Sequence, residues 1–423
     1  MKRFCIKTLG CKVNQYEAQV IREGFLRQGY VEAANVDDAD IFVVNSCTVT
    51  SASDSKSLKA IRSAIKKGKC VVATGCMIED RDLDLSKLIG ARFIVKNRDK
   101  HRIPQIIEGE GCPSTSLGTG RVKGEEVGIN GLKGHTRVFV KIQDGCDNVC
   151  SYCKVRVVRG RSKSRPLKEV AGECRRLIES GVKEIVLTGI CLGAYGRDIS
   201  KTASLPRLVK EICRIDGDWR LRLSSIEPKD ITKDLILLLQ EEKRFCKHLH
   251  IPFQSGDDYI LRKMARPYSR SDYLDIVKRV RKAIPDIAIS TDIMVGFPGE
   301  TEERFQNTVD FIELVRPMRM HVFPFSRRKG TRACDYKDGV SSLAKKEKED
   351  RLLNIAKKYS AEFIERSAAG GEVRVLVEDK KTSHGYLQGY TSHYIKVYID
   401  GPDSLKGRFV NCQPTELPVY LDK

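Results

Sequence analysis

Over the first hundred residues, continuous apolar runs at 4–9, 41–45 and 70–74 alternate with stretches whose apolar positions recur at helical spacing. Glu17-x2-Val20-Ile21-x3-Phe25-Leu26 and Leu58-x2-Ile61-x3-Ile65 are the clearest of these stretches. Strand and helix in turn predict a doubly wound parallel sheet, taken here as a domain over 1–108. Residues 109–134, rich in Gly, Ser and Thr and without periodicity, read as a linker. From Arg137 the alternation resumes, with six strand-like runs at 138–142, 185–188, 221–224, 249–251, 288–292 and 320–323. That pattern predicts an incomplete (β/α)6 barrel which, with a terminal helix, spans 135–366. Its first helix is spelled out: Pro166 at N1, an apolar stripe through Leu167, Val170, Ala171, Cys174, Leu177 and Ile178, and Gly181 as terminator. A charged helix over 343–369 follows, with Leu352, Ile355, Ala356, Tyr359 and Phe363 on one stripe and its lysines largely on a solvated face. After Gly370-Gly371 the period becomes two. Strands at 373–377, 385–391, 395–399, 408–412 and 418–421 predict a small closed β-barrel over 367–423.

Composition adds class and partner. A chain of 423 residues with 41% hydrophobic content can bury about three cores. It holds no apolar run approaching the ~18 residues of a membrane span and no signal-peptide core, so a soluble, cytoplasmic protein with no membrane association is expected. Its 76 basic and 56 acidic residues leave a net charge of +20, which favours a polyanionic partner. Fifteen cysteines, many beside ionic residues, fit a reducing compartment rather than a disulfide framework.

The cysteines carry the candidate chemistry. Cys146, Cys150 and Cys153 form C-x3-C-x2-C, a pattern that 15 cysteines in 423 residues would produce by chance only about 0.02 times. Three thiolates on one loop can hold three irons of a cubane cluster and leave the fourth open; the alternative is zinc with a remote fourth ligand. Cys11, Cys47 and Cys76 each stand just past a predicted strand end. In a parallel sheet they converge on one edge, where a second three-thiolate cluster is expected, with buried structural cysteines as the alternative. Cys5 and Cys70, inside strands, are read as structural. At the barrel mouth, Gly189, Ser225, Glu227, Gln254 and Gly296 follow successive strands and line a pocket. The glycines would let a ligand approach the backbone, and Glu227 and Gln254 would bond its polar groups. Arg159, Arg161, Lys163 and Arg165, just after the cluster loop, are placed to meet phosphates.

The Cys146 loop resembles that of the radical S-adenosylmethionine (SAM) enzymes, which implies that the open iron chelates SAM and that SAM is cleaved to a deoxyadenosyl radical. Across nearly the whole chain, Gly10-Cys-Lys-Val-Asn-Gln15, Asn45-Ser-Cys-Thr48, Thr74-Gly-Cys76, Arg220-Leu-Arg-Leu-Ser-Ser225 and Gly296-Phe-Pro-Gly-Glu-Thr301 resemble the methylthiotransferase family. The resemblance implies two 4Fe–4S clusters: a sulfur-delivering auxiliary one on Cys11, Cys47 and Cys76, and a radical-generating one on Cys146, Cys150 and Cys153. It also implies an electron donor such as flavodoxin or ferredoxin, and a sulfur source. Leu192-Gly-Ala-Tyr-Gly-Arg197 and His321-Val-Phe-Pro-Phe-Ser-Arg-Arg-Lys-Gly-Thr331 are similar to the branch acting on N6-threonylcarbamoyladenosine of tRNA, giving its 2-methylthio derivative. Lys154, Arg156 and Cys191 depart from that branch. The C-terminal strands resemble the TRAM module, an RNA-binding appendage. Within it Tyr386, Tyr390, Tyr394 and Tyr398, with Lys396 and Arg408, would stack on and neutralise nucleic acid. Competing readings are a methylthiotransferase for isopentenyladenosine or a ribosomal protein, and a non-catalytic iron–sulfur RNA-binding redox sensor.

Overall fold

The computed structural model describes residues 2–109, 128–129 and 136–412, so most of the expected linker and the strand expected at 418–421 lie outside the described residues. The N-terminal unit runs β1 (Arg3–Thr8), α1 (Lys12–Arg27), β2 (Val31–Glu32), β3 (Ile41–Ser46), α2 (Ser51–Lys66), β4 (Cys70–Gly75), β5 (Phe93–Val95) and α3 (Ile103–Glu108). Its strands pair in parallel in the order β2-β1-β3-β4-β5. β3 and β4 are buried along nearly their whole length, which is why they read as unbroken apolar runs. The edge strands β2 and β5, of two and three residues, are too short to show a period and escaped the sequence reading.

The second unit runs β6 (Arg137–Asp144), α4 (Val155–Arg159), β7 (Lys163–Ser164), α5 (Leu167–Glu179), β8 (Glu184–Gly189), α6 (Leu205–Ile212), β9 (Arg220–Leu223), α7 (Lys233–Glu241), β10 (His248–His250), α8 (Asp258–Lys263), α9 (Arg270–Ala283), β11 (Ala288–Val295), α10 (Glu302–Val315), β12 (Arg319–Pro324) and α11 (Ser342–Ala368). Six parallel strands, β6-β8-β9 and β10-β11-β12, curl into a half-barrel; the bridges Leu221–Phe245 and Ser225–His250 join the two groups. β7, which was not foreseen, pairs antiparallel to the outer edge of β6. Pro166 precedes α5 rather than opening it at N1. The bond from the Arg165 amide to the Ile142 carbonyl (2.8 Å) holds the approach extended, and Pro166 keeps ψ at 138°. Val138, Val140 and Ile142 turn outward into the core beneath α5, α6 and α7, so Arg137, Phe139, Lys141 and Gln143 face the lumen.

The C-terminal unit is β13 (Val373–Lys381), β14 (Leu387–Thr391), β15 (Lys396–Ile399) and β16 (Phe409–Cys412), an antiparallel sheet of order β15-β14-β13-β16. Closure into a barrel is not seen among the described residues. The turn between β14 and β15 instead plugs the base of the half-barrel. Arg220 donates to the Tyr390 carbonyl (2.9 Å), and Arg222 donates to the Ser392 (3.0 Å) and Thr391 (3.3 Å) carbonyls. The guanidinium of Arg222 lies 4.6 Å over the Tyr394 ring, and that of Arg137 4.9 Å over Tyr390. Tyr390 and Tyr394 are therefore occupied within the protein, which corrects their expected role as stacking platforms for nucleic acid. Tyr386 is exposed.

Candidate active site between two cysteine trios

Cys11, Cys47 and Cys76 follow β1, β3 and β4 and meet at one edge of the sheet. Asn14 ties that edge together, its side-chain amide donating to the Leu9 (2.7 Å) and Ser46 (2.9 Å) carbonyls. Gly10, at φ +97°, lets Cys47 come close: a Cβ there would lie 2.7 Å from the Cys47 sulfur. Burial pushes the Cys47 and Cys76 thiols up, and each lies within electrostatic reach of Cys11. On the barrel side, the Cys146–Cys153 loop leaves β6 at Gly145. That residue's φ of +67° and the approach of the Arg161 carbonyl, 2.0 Å from where a Cβ would stand, admit only glycine. Burial drives the Cys153 thiol up to about 12, whereas a bond from the Cys191 thiol draws Cys146 down to about 7. Among the described residues no group of three His, Cys, Asp or Glu side chains converges as the ligands of a single metal ion do. Ligands of a cubane bind separate irons and stand further apart. The donor set suits such a group: a guanidinium serves each trio, with Arg159 Nε 3.2 Å from the Cys76 sulfur and Arg266 3.2 Å from that of Cys150.

One cavity of about 230 Å³ touches both trios. Cys76 and Cys153 border it together with Thr48, Lys154, Gln254 and Asp292, and Tyr152, Met294, Phe323 and Phe325 supply its apolar walls. The docking of the first domain that creates this cavity is ionic. Glu17, on α1, binds Lys100 (2.6 Å), Lys141 (3.0 Å) and Arg159 (3.0 Å), and Arg159 also reaches Asp144 (2.9 Å) and the Asn14 side-chain oxygen (2.5 Å). Burial pushes the Glu17 carboxyl up, but the three cations outweigh it and hold the group well below the usual carboxylate range. Lys154 pairs with Asp80 (2.5 Å) and Asp82 (3.3 Å), and Arg328 with Asp54 (2.6 Å) and Thr48 (2.7 Å), closing the two other sides.

This arrangement reassigns several residues expected at the site. The Arg159 side chain is 2% exposed and internally paired, so it is withheld from phosphate and serves as a clamp. Arg165 is likewise turned inward, to Glu173 (2.6 Å) and Tyr16 (3.1 Å). Arg161 and Lys163 are exposed and, with Lys96 and Arg98 of the first domain, edge a second cavity of about 610 Å³. The room left by the missing side chains of Gly189 and Gly296 is taken up by Gln143 and Lys345, which corrects the reading that they leave space for a ligand. Glu227 pairs with Arg266, and Ser225 is exposed beside them. Gln254 sits at φ +70° with its side-chain carbonyl oxygen buried and unpartnered. Cys191, one of the departures, lies beneath the cluster loop: its sulfur is 3.8 Å from the Asn148 amide and 3.9 Å from Asp230. Arg156 is exposed.

Sequence reasoning missed Arg266, Asp292 and Lys12. Asp292 accepts from His250 (3.1 Å) and His321 (3.3 Å), and these bonds, against the opposing effect of burial, hold its carboxyl low. His250 and His248 share the Ser290 hydroxyl at 2.9 Å each, extending a polar chain across the lumen. Half-buried Lys12 lies within electrostatic reach of Asp292; desolvation, reinforced by Arg222 and Arg137, pushes its ammonium down to about 8. The one available signal was adjacency: Lys12 follows a candidate ligand directly, and Asp292 occupies an inward register on a barrel strand.

The sequence matches the Radical SAM superfamily over residues 140–312, the uncharacterized protein family UPF0004 over 3–95 and the TRAM domain over 366–417. It is 35% identical to the threonylcarbamoyladenosine tRNA methylthiotransferase MtaB of Bacillus subtilis, covering 97% of this chain and 93% of that one. Identity to the protein of the same name from Thermotoga maritima is 38%, over 94% and 91%. The tRNA-2-methylthio-N(6)-dimethylallyladenosine synthase of Fusobacterium nucleatum is 36% identical over 99% and 98%. Among solved structures, the radical SAM methyltransferase TsrM of Kitasatospora setae shares the fold, with a TM-score of 0.55 at 17% identity over 79% of this chain and 77% of that one. With three matched domains in this order and relatives that span the chain from end to end, this protein belongs to the radical SAM methylthiotransferase family, enzymes that use 4Fe–4S clusters and SAM.

Proposed function

We propose that the protein is a tRNA methylthiotransferase that converts N6-threonylcarbamoyladenosine beside the anticodon to its 2-methylthio derivative. The observation that carries this reading is the single cavity bordered by both Cys76 and Cys153: a base held there would face both trios at once. When bound, the clusters and SAM supply the radical, the methyl group and the sulfur that exchange an unactivated ring C–H for a thioether, chemistry that side-chain acids and bases do not perform. Cys146, Cys150 and Cys153 would hold one cluster and Cys11, Cys47 and Cys76 the other. Arg266 and Arg159 offset negative charge at the sulfurs. The Glu17 network keeps the two trios facing the same space. Tyr152, Phe323 and Phe325 offer surfaces for a purine to pack against, and they exclude water from its edge. Exposed Arg161, Lys163, Lys96 and Arg98 meet the RNA backbone outside.

The substrate branch rests on relatives whose names differ, two carrying threonylcarbamoyladenosine and one dimethylallyladenosine. Mass spectrometry of digested tRNA from cells with and without the gene separates them. Loss of methylthio-threonylcarbamoyladenosine with accumulation of its precursor supports the proposal. If that nucleoside is unchanged, the substrate assignment falls.

A further inference from the structure

The lumen of the half-barrel is more polar than a structural core requires, and its polar groups are not all satisfied. Within electrostatic reach of Lys12 are Glu184 and Asp292 and, paired to the neighbouring Arg137, Glu378. Each of these carboxylates already has its own partners. Glu184 is held by Arg220 (2.6 Å) and Arg222 (2.8 Å), Asp292 by His250 and His321, and Glu378 by Arg137 (3.0 Å). Half-buried Lys12 has no hydrogen bond or ion pair among the described residues. Three further groups of the half-barrel have a buried atom unpartnered: the Ser224 hydroxyl, His248 Nδ1 and the Gln254 side-chain carbonyl oxygen. Their residues are 3%, 4% and 7% exposed, so bulk water does not satisfy them. Ser224 directly follows β9, two residues past the inward Arg222, His248 is an electrostatic neighbour of Lys12, and the Gln254 backbone amide donates to the Asp292 carbonyl (2.9 Å). A half-buried cation without an ion pair, two groups able to donate or accept and one acceptor describe the complement of a ligand carrying an anion, a hydroxyl and an N–H.

We infer that this lumen is the binding site for a carboxylate-bearing substituent of the substrate base, with Lys12 as its counter-ion, Ser224 and His248 as hydrogen-bond partners and Gln254 accepting from an N–H. The inference deepens the proposed function and rests on it, since the threonylcarbamoyl group carries these three features and an alkenyl group carries none. Lys12 is then a specificity-determining residue that touches substrate: it pairs with the charge that distinguishes one N6 substituent from another.

The test pairs a charge in the substrate with the charge in the protein. Anticodon stem-loops bearing N6-threonylcarbamoyladenosine, its methyl ester or an N6-alkenyladenosine are offered to the cluster-reconstituted enzyme and to Lys12→Gln, and kcat, KM and equilibrium binding are measured. The wild type is expected to prefer the acid over the ester by roughly ten- to a hundred-fold, mainly in KM and binding. Lys12→Gln should bring the acid-to-ester ratio in KM and binding close to one, and Lys12→Arg should recover part of the preference. Equal losses on acid and ester, or a Lys12→Gln enzyme that still prefers the acid, would overturn the inference and leave the proposed function standing. A wild-type enzyme that turns over only the alkenyl substrate removes the proposed function, and the inference with it. If Lys12→Gln fails to load its clusters, the same acid-to-ester ratio in Ser224→Ala decides: an unchanged ratio counts against the site and a reduced one for it.

Discussion

Replacing Glu17 by glutamine removes one negative charge from a buried knot of three cations while keeping the side chain's shape. The three cations do not suffer equally. Lys141 keeps Asp144 at 3.1 Å and Arg159 keeps it at 2.9 Å, whereas Glu17 is the ion-pair partner of Lys100, whose side chain is 4% exposed. The cost is therefore close to that of one orphaned buried ammonium, at the lower end of the ~3–5 kcal/mol for breaking a buried pair. About 3 kcal/mol corresponds to a roughly hundred-fold rise in the open population of α1 where it docks on β6 and β8. A chain of several domains does not unfold in one step, so hydrogen exchange read by mass spectrometry across α1 is the appropriate assay. The double variant Glu17→Gln/Lys100→Met should recover most of the loss, because the orphan is removed with its partner. The pH dependence has a definite sign. The folded carboxyl titrates well below its ordinary value, so its stabilisation is complete above that ordinary value of about 4.3 and is lost as pH falls toward the folded one. The opening free energy of α1 should decline below about pH 5 in the wild type and lose that slope in Glu17→Gln. A change in α1 protection of less than about three-fold, or strictly additive effects in the double variant, would refute the claim that this network docks the domain.

Gly10→Ala places a Cβ 2.7 Å from the Cys47 sulfur at a φ of +97°, and the purified protein is expected to hold about half the iron of the wild type; a full complement would contradict the tight convergence at that edge. Arg266→Gln leaves half-buried Glu227 without its cation and Cys150 without its donor. A fall of about 2 kcal/mol in stability and an altered spectrum of the cluster on the Cys146–Cys153 loop should accompany it, and an unaltered spectrum would remove Arg266 from the site. Arg222→Met deprives the β14–β15 turn of two bonds and Tyr394 of the nearest of its three cations, at a cost of about 3 kcal/mol; the Tyr390–Tyr394 turn should become protease-sensitive, and unchanged resistance would show that the plug is held elsewhere. Arg161→Ala and Lys163→Ala should each lower the salt dependence of tRNA binding by about one ion, whereas unchanged slopes would move the RNA path away from this rim.

What the sequence by itself determined is local. The C-x3-C-x2-C loop, cysteines directly after apolar runs, the stripe of α5 and the change of period after Gly371 are each written within a few residues, because strand and helix periods record which face of an element is buried. They do not record which residue covers that face. Glu17 and Arg159 are 142 positions apart, Lys154 and Asp80 74, and Arg222 and Ser392 170, so no periodicity links them. Arg159 and Arg161, two residues apart, look alike in the sequence. Only packing separates them, since the first enters a buried cleft that contains Glu17 and the second faces solvent. Tyr390 and Tyr394 likewise read as surface aromatics until the half-barrel supplies the arginines beneath them. The same holds for Lys12, whose charge becomes informative only once Arg137, Glu184, Arg222 and Asp292 of the half-barrel come within electrostatic reach and the carboxylates among them are seen to be paired. A buried charge takes its meaning from its partners, and partners are chosen by the tertiary fold.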